Sequence, residues 1–154
     1  MARGITVTEE TQSVSSVAGG DEDNVELAEE LRAALAGEVL ADPLNRAFYS
    51  TDASVHQVRP LLAVVPAGAE DVTAAVRIAA RRGVPIAPRG AGSGLAGESL
   101  TRGIVLDFTR HMNRLLAVNI PEGQDKSCAT AVVEAGCVFQ VLNDELAGKG
   151  WQFG

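Results

Sequence analysis

The chain has 154 residues and a mass of 16.0 kDa, with 46% hydrophobic and 21% charged residues, which suits one modest domain. Only 4% of the residues are aromatic, so the core must be aliphatic. The formal net charge of −7 argues against a general nucleic-acid-binding protein, because such proteins need a basic face. Most of the acidic excess lies in residues 1–58, so the remainder of the chain can accept an anionic ligand.

The cysteines and the absence of long apolar runs indicate in which cellular compartment the protein is expected. Cys128 and Cys137 match no short metal-ligand motif, so no metal site is predicted. Cys137 stands beside an apolar run and is interpreted as a buried, inert thiol. No apolar run approaches the length of a membrane span, and the N-terminus lacks the hydrophobic segment of a secretory signal. We therefore expect a reducing cytoplasmic setting, with peripheral attachment to a membrane left open.

The first predicted elements are a tail and a helix. Residues 1–20 are rich in Ser, Thr and Gly, which predicts a flexible tail, and residues 21–154 are expected to be folded. The helix is expected to follow a cap at Asp23, with Glu26 completing a capping box, and to stop at Gly37. Its apolar face is expected to consist of Leu27, Leu31, Ala34 and Leu35.

A strand–helix–strand unit is predicted next. The apolar run Leu61–Val65 indicates a buried strand. Glu70 and Asp71 suit the N-terminus of the following helix, and Gly83 suits the left-handed position just past its end. A second strand starts at residues 84–87, and the order of the elements favours a right-handed parallel crossover.

Three more strands and a closing helix complete the predicted fold. The strand candidates are Gly103–Phe108, Leu115–Val118 and Ala129–Val133, with a turn at Pro121–Gln124 between the last two. The closing helix carries Val138, Leu142 and Leu146 on one face and ends near Gly148 or Gly150. The predicted fold class is α+β, a small mixed sheet with flanking helices on one side.

The most informative segment is the glycine-rich stretch Pro88–Gly97, which follows directly after a strand. Glycine permits positive φ and a close approach of the backbone to a ligand, and we expect Gly92 and Gly94 to need that freedom. Successive backbone N–H groups in such a turn form a nest that holds an anion. Arg89 and the Ser93 hydroxyl can reinforce the nest, so a diphosphate is the predicted ligand. A plain flexible loop is disfavoured, since strands lead both in and out.

The same stretch also matches the dinucleotide pattern G-x-G-x-x-G between Gly92 and Gly97. That pattern needs a helix opening on its last glycines and an acidic residue about twenty positions further on. The segment Glu98–Gly103 leaves little room for a helix before the next strand. A phosphate loop between two strands is therefore preferred, and a Rossmann-type NAD(P)-binding module is kept as an alternative.

The order of these segments resembles the N-terminal part of the FAD-binding domain of FAD-linked oxidases, the vanillyl-alcohol oxidase and p-cresol methylhydroxylase (PCMH) superfamily. The resemblance covers roughly residues 40–154 and rests on Ala63–Pro66, Glu70–Val72, Gly83–Gly97, Val105–Asp107, Met112–Arg114, Val133–Val138 and Leu142–Asn143. Within the superfamily the chain is most similar to the flavin subunits of D-lactate dehydrogenase and glycolate oxidase. The segment Thr51–Ser54, followed by Arg59–Pro60, resembles the branch that carries an iron–sulfur domain further along the chain.

The resemblance implies the first part of a PCMH-type FAD-binding domain and the oxidation of a 2-hydroxy acid by hydride transfer to FAD. It also implies that the FAD pyrophosphate is held by Arg89, Gly90, Ala91, Gly92, Ser93, Gly94 and Leu95. Some members attach FAD through a histidine in this loop, and Ser93 stands about where it would be, so non-covalent FAD is implied.

No catalytic residue is assigned, because the family's catalytic base and substrate arginines have no counterpart in residues 1–154. We expect the domain to be incomplete at its C-terminus, with the acid substrate bound by domains that lie elsewhere. A second alternative is therefore a non-catalytic fragment or subunit that needs a partner chain.

A few other side chains were considered for chemistry. His56 and His111, the only histidines, lack an identifiable carboxylate partner and are interpreted as structural or surface residues. Asp107 ends a strand, where capping a turn is the common role, and Tyr49 is left undecided. Trp151 and Phe153 could stack on a flavin, but both are expected to pack in the core.

Overall fold

The computed structural model describes residues 21–120 and 128–154. Its elements in chain order are α1 (Asp21–Ala34), β1 (Glu38–Leu40), α2 (Pro43–Phe48), β2 (Leu62–Val65), α3 (Ala69–Arg82), β3 (Ile86–Arg89), β4 (Ile104–Asp107), β5 (Leu115–Asn119), β6 (Thr130–Val133) and α4 (Phe139–Ala147). The predicted tail at 1–20 and the predicted turn at Pro121–Gln124 lie outside the described residues. The α+β class, a small mixed sheet with flanking helices, is confirmed.

The main sheet has four strands in the order β1-β2-β4-β3. β1 runs antiparallel to β2, whereas β2 and β3 both run parallel to β4. The strand–helix–strand unit β2–α3–β3 therefore has parallel strands, as predicted, but β4 lies between them. β5 and β6 form a separate antiparallel pair.

The two faces of this sheet are covered differently, because successive strand residues point to opposite faces. The face covered by α1 and α3 holds the main buried cluster, which includes Leu27, Leu31, Leu62, Val64, Ala75, Ile78, Ile104 and Leu106. On the other face Tyr49, which directly follows α2, packs on Ala63 and Val105. The expectation of helices on one side therefore holds for α1 and α3, while the residue after α2 covers the opposite face.

The expectations for the N-terminal part of the fold need correction. The described part of α1 starts at Asp21, so Asp23 lies inside the helix and is not its cap. β1 and α2 were not predicted. α2 begins after a clear cap, since the Asp42 carboxylate accepts the N–H groups of Leu44 and Asn45, both at 3.1 Å, and Pro43 opens the helix.

The buried carboxylate of Asp71 fastens the end of α1 to the start of α3. It accepts backbone N–H groups from Ala36 at 2.9 Å, Gly37 at 2.8 Å and Ala67 at 2.8 Å. At the other end of α3, Gly83 has the predicted left-handed conformation, with a φ of 65°. α3 is thus held at both ends in the positions that the sequence indicated.

Candidate functional site

The carboxyl ends of β3 and β4 lie at the same edge of the sheet because the two strands are parallel. Arg89, the last residue of β3, is in register with Asp107, the last residue of β4. Residues 90–99, which we call the glycine loop, leave the sheet at this edge. This is the position at which open α/β sheets bind ligands. The chain described between residues 90 and 103 contains no helix, so the helix that a Rossmann-type motif requires is absent there.

The glycine loop has the backbone conformation of a tight turn at two positions. Gly92 and Gly97 have φ values of 68° and 82°, in the left-handed region that favours glycine. Gly94 has no positive φ, so the expectation that it needs a positive φ is wrong, and Gly97 has the second positive φ of the loop. A side chain at Gly94 would instead meet the carboxylate of Glu98.

Consecutive N–H groups of the loop are free to bind a ligand. Among the described residues, no protein acceptor receives the N–H of any residue from 90 to 95. All of these residues except Gly92 are exposed. Backbone N–H groups presented in series can form an anion-binding concavity, so these free N–H groups are the candidate anion site of the chain.

The glycine loop rests on residues 51–57, which we call the bracing segment. The Ala53 N–H donates to the Gly92 carbonyl at 2.9 Å. The Ser99 hydroxyl donates to the Asp52 carboxylate at 3.0 Å, and the Ser54 N–H donates to that carboxylate at 2.9 Å. Hydrogen bonds from Ser54, more than that from Ser99, lower the pKa of Asp52 below its ordinary value.

The bracing segment was noted in the sequence only as a mark of resemblance, and its structural role was missed. An aspartate followed two residues later by serine is typical of a turn closed by the carboxylate, and that pattern could have indicated it. The bracing segment also leaves little space beside Gly97, near the end of the glycine loop. A Cβ on Gly97 would lie 3.2 Å from the ring carbon Cδ2 of His56.

Arg89 lies beneath the loop, whereas the other predicted cofactor-binding residues lie along its outer part. It is only 9% exposed, and its Nη1 donates to the carbonyl of Thr51 at 2.8 Å. Its Cζ lies 5.6 Å from the centroid of the Tyr49 ring. A Cβ on Gly92 would lie 2.7 Å from the same Cζ, so the guanidinium packs against the backbone of the loop.

Tyr49 and Asp107 support this arrangement from below. The Tyr49 hydroxyl donates to one Asp107 oxygen at 2.7 Å, and the other oxygen accepts the N–H and hydroxyl of Thr109 at 2.8 and 2.7 Å. Asp107 therefore caps a turn, as expected, and also fixes the tyrosine. Burial, followed by the neighbouring Asp107, raises the pKa of Tyr49, so its hydroxyl remains protonated at neutral pH.

The remaining candidate side chains lie outside the loop. His111 is an exposed residue whose Nε2 lies 3.8 Å from a Glu38 carboxylate oxygen. No cluster of three or more metal-ligating side chains occurs in residues 21–120 and 128–154. In the same ranges, no helix is long and apolar enough to cross a membrane.

An apolar groove lies between β6 and α4. Its lining includes Ala131, Val133, Cys137, Phe139, Leu142 and Phe153. Phe139 and Phe153 meet edge to face, with ring centroids 5.9 Å apart. Phe153 is 56% exposed in this open groove, so the expectation that it packs in the core is wrong. Cys137 is only partly buried, contrary to expectation, because the groove is open to solvent, and neither Cys137 nor Cys128 forms a disulfide.

Comparison with known proteins gives a family match over most of this fold. The family described as "FAD binding domain" matches residues 60–154, from two residues before β2 through the glycine loop and past the end of α4. FAD carries a diphosphate between its two halves. The matched range includes the candidate anion site at residues 90–95.

Two curated relatives are similar over most of this chain. D-2-hydroxyglutarate dehydrogenase of Pseudomonas putida is 39% identical over 123 residues, which cover 76% of this chain and 11% of the relative. The mitochondrial D-lactate dehydrogenase (cytochrome) of Kluyveromyces lactis is 31% identical over 111 residues, which cover 70% of this chain and 18% of the relative. The chain thus corresponds to a small part of each relative.

A solved structure of p-cresol methylhydroxylase shares the fold. It aligns with a TM-score of 0.59 at 18% identity, covering 85% of this chain and 26% of that structure. At that identity the match concerns the backbone alone. It confirms the predicted architecture, the first part of a PCMH-type domain.

Proposed function

The chain belongs to the family of FAD binding domains, and from that membership we propose that its glycine loop holds the diphosphate of FAD in an oxidoreductase acting on a 2-hydroxy acid. The observation that carries the proposal is the row of unpaired N–H groups at residues 90–95, placed at the carboxyl edge of two parallel strands. The substrate class is supported by the names of the relatives, since 2-hydroxyglutarate and lactate are both 2-hydroxy acids.

The residues of this chain bind and orient the cofactor. The N–H groups of residues 90–95 and the Ser93 hydroxyl would hold the diphosphate, and the Arg89 guanidinium adds positive charge beneath them. When bound, FAD supplies the hydride acceptor for the oxidation. We assign binding of the acid to regions beyond these residues or to a partner chain, since the match covers about a tenth of the first relative.

We propose that FAD is bound non-covalently, because the loop presents the Ser93 hydroxyl and no histidine among residues 90–99. Acid precipitation of the FAD-loaded gene product should release the yellow chromophore into the supernatant. Colour retained in the pellet, together with a flavin-sized mass increment on a loop peptide, would show a covalent bond and exclude this proposal.

The experiment that tests the diphosphate site compares FAD with riboflavin, which lacks the diphosphate. Binding to the complete gene product that contains this chain is followed by flavin fluorescence. Ser93→Asp places a negative charge in the loop, and we expect it to weaken FAD binding about tenfold or more, with riboflavin binding unchanged. Thr73→Asp, at an exposed position of α3, is the matched control and should leave both affinities unchanged. An unaltered FAD affinity in Ser93→Asp would exclude the site.

The substrate class is tested separately by dye reduction with D-2-hydroxyglutarate, D-lactate and glycolate. We expect at least one of these acids to reduce the bound flavin, and no reduction by any of them would refute the substrate class while leaving FAD binding intact.

The NAD(P)-binding alternative gains no support from residues 90–103, which contain no helix. We also propose a cytoplasmic location, because Cys128 and Cys137 are both free thiols. Cell fractionation can check it.

A further inference from the structure

The orientation of Arg89 is unexpected for a residue of a phosphate-binding loop, because its guanidinium points beneath the loop and not toward the exposed N–H groups. We propose that Arg89 is a positioning residue: it sets the shape of the glycine loop before FAD arrives and does not contact the cofactor. The expected effect on FAD affinity rests on the proposed function. The effect of Arg89 on the shape of the loop does not, and it can be measured in the FAD-free protein.

Three contacts hold the guanidinium in one place. Nη1 donates to the Thr51 carbonyl at 2.8 Å, the plane lies over the Tyr49 ring at 5.6 Å, and the backbone of Gly92 covers it. A guanidinium is planar, permanently charged and has donors in fixed directions, so these contacts define its orientation. Any shift of Arg89 must move either the bracing segment or Gly92.

The support continues through Tyr49 to the end of β4. The Tyr49 hydroxyl is fixed by Asp107 at 2.7 Å, and Asp107 is in register with Arg89 itself. Asp107, Tyr49 and Arg89 thus connect the carboxyl end of β4, the residue after α2 and the underside of the loop. Because Ala53 donates to the Gly92 carbonyl, the bracing segment and the loop move together. A loop that is fixed in advance loses less entropy when its ligand binds.

The test follows the Ala53 amide, whose hydrogen bond to Gly92 reports the position of the loop. In Arg89→Met we expect its hydrogen exchange in the FAD-free protein to accelerate about tenfold or more, and the dissociation constant of FAD to rise about tenfold or more. Arg89→Lys keeps the charge but not the fork of donors, and should show a smaller change in both. Adding Tyr49→Leu to Arg89→Met should weaken FAD binding no further, since the two act through one arrangement.

The matched control is Arg46→Met, because Arg46 also donates to a backbone carbonyl, that of Pro60 at 2.9 Å, away from the loop. It should change neither the Ala53 exchange nor the FAD affinity. Unchanged Ala53 exchange in Arg89→Met with weaker FAD binding would identify a direct phosphate ligand and overturn the inference. Equal effects of Arg46→Met and Arg89→Met would reduce Arg89 to general stabilisation and overturn it too. If the unaltered protein binds no FAD, the proposed function fails, but the exchange of Ala53 still decides whether Arg89 positions the loop.

Discussion

Asp71 is the residue on which two separate segments of backbone converge. Its two carboxylate oxygens accept N–H groups from the end of α1 and from the turn between β2 and α3, and they therefore satisfy donors that would otherwise be partly buried and unpaired. Burial alone would raise the pKa of Asp71, but the hydrogen bonds from Ala36, Ala67 and Gly37 outweigh burial, and the pKa lies below its ordinary value.

Asp71→Asn tests this arrangement through its pH dependence. The amide group brings N–H donors toward other donors, so we expect the free energy of unfolding at pH 7 to fall by about 2–3 kcal/mol. Because the folded-state pKa is lowered, the stabilisation is present above the ordinary aspartate pKa and is lost as the pH falls through the folded value. Urea unfolding from pH 7 to pH 3 should show the difference between the two proteins narrowing below about pH 4. A constant difference down to pH 3 would contradict the assignment.

Gly92 is the loop position where a side chain is least tolerable, because its φ is positive and the Arg89 guanidinium lies where a Cβ would be. We expect Gly92→Ala to reduce the free energy of unfolding by about 1–2 kcal/mol. Gly90→Ala is the control, since a Cβ there meets nothing within 4 Å and φ is not positive. Thermal unfolding of the two variants compares them directly, and equal losses would show that backbone strain at Gly92 is not the cause.

At the scale of elements, the parts predicted from sequence are those with strong local signals. α3 carries acidic residues in its first turn and a glycine just past its end, and β2 and β4 are short apolar runs, so all three were placed within one or two residues. β1 and α2 were missed because they have three and six residues, too few for a periodic pattern. Their stability comes from β2, which no local pattern reveals.

The candidate site likewise has one part with a local sequence signal and one part that depends on long-range contacts. The glycine loop was found because its composition and its place after a strand are local properties. The inward orientation of Arg89 depends on Tyr49 and Asp107, which are distant in sequence and meet only through the order of the strands. Such contacts cannot be derived from spacing, so the sequence indicates for Arg89 only a cofactor-binding role, through its charge, its place in the loop and the family resemblance.

We expect the packing of α1 to contribute to the stability of the core, and the variant Leu31→Ala tests this. Leu31 is fully buried against the sheet, so Leu31→Ala should cost about 2–5 kcal/mol of unfolding free energy. Leu44, which is 79% exposed on α2, provides the control, and Leu44→Ala should change stability by less than about 0.5 kcal/mol. Denaturant titration measures both, and a loss of similar size in the two variants would contradict the packing of α1.

For the whole molecule, the surface divides into a well-covered main sheet and an apolar region around β6 and α4. Every residue of β6 is exposed, and large exposed side chains cluster there, among them Val132, Val133, Val138, Phe139, Val141 and Phe153. A contiguous apolar surface of this kind favours association. The main sheet carries no comparable patch of its own, since its strands β2 and β4 are buried.

We therefore expect the 154-residue chain, studied alone, to associate as its concentration rises. Val133→Lys should reduce that association, because it places a charge in the groove between β6 and α4, where the Val133 side chain is 40% exposed. Val55→Lys changes a side chain that is 96% exposed in the bracing segment, away from the patch, and should have no effect. Sedimentation velocity over a range of concentrations compares the three proteins. A monomer at all concentrations would rule out the patch as an association surface.

The position of β4 between β2 and β3 also governs how the chain reaches its native state. β2 and β3 are not neighbours, so the strand–helix–strand unit has no paired sheet until β4 inserts between them. Insertion requires closure of the connection that contains the glycine loop, and glycines increase the conformational entropy lost at that step. We therefore expect the contacts of β4 to form at the step that completes the sheet, and the glycines of the loop to slow that step.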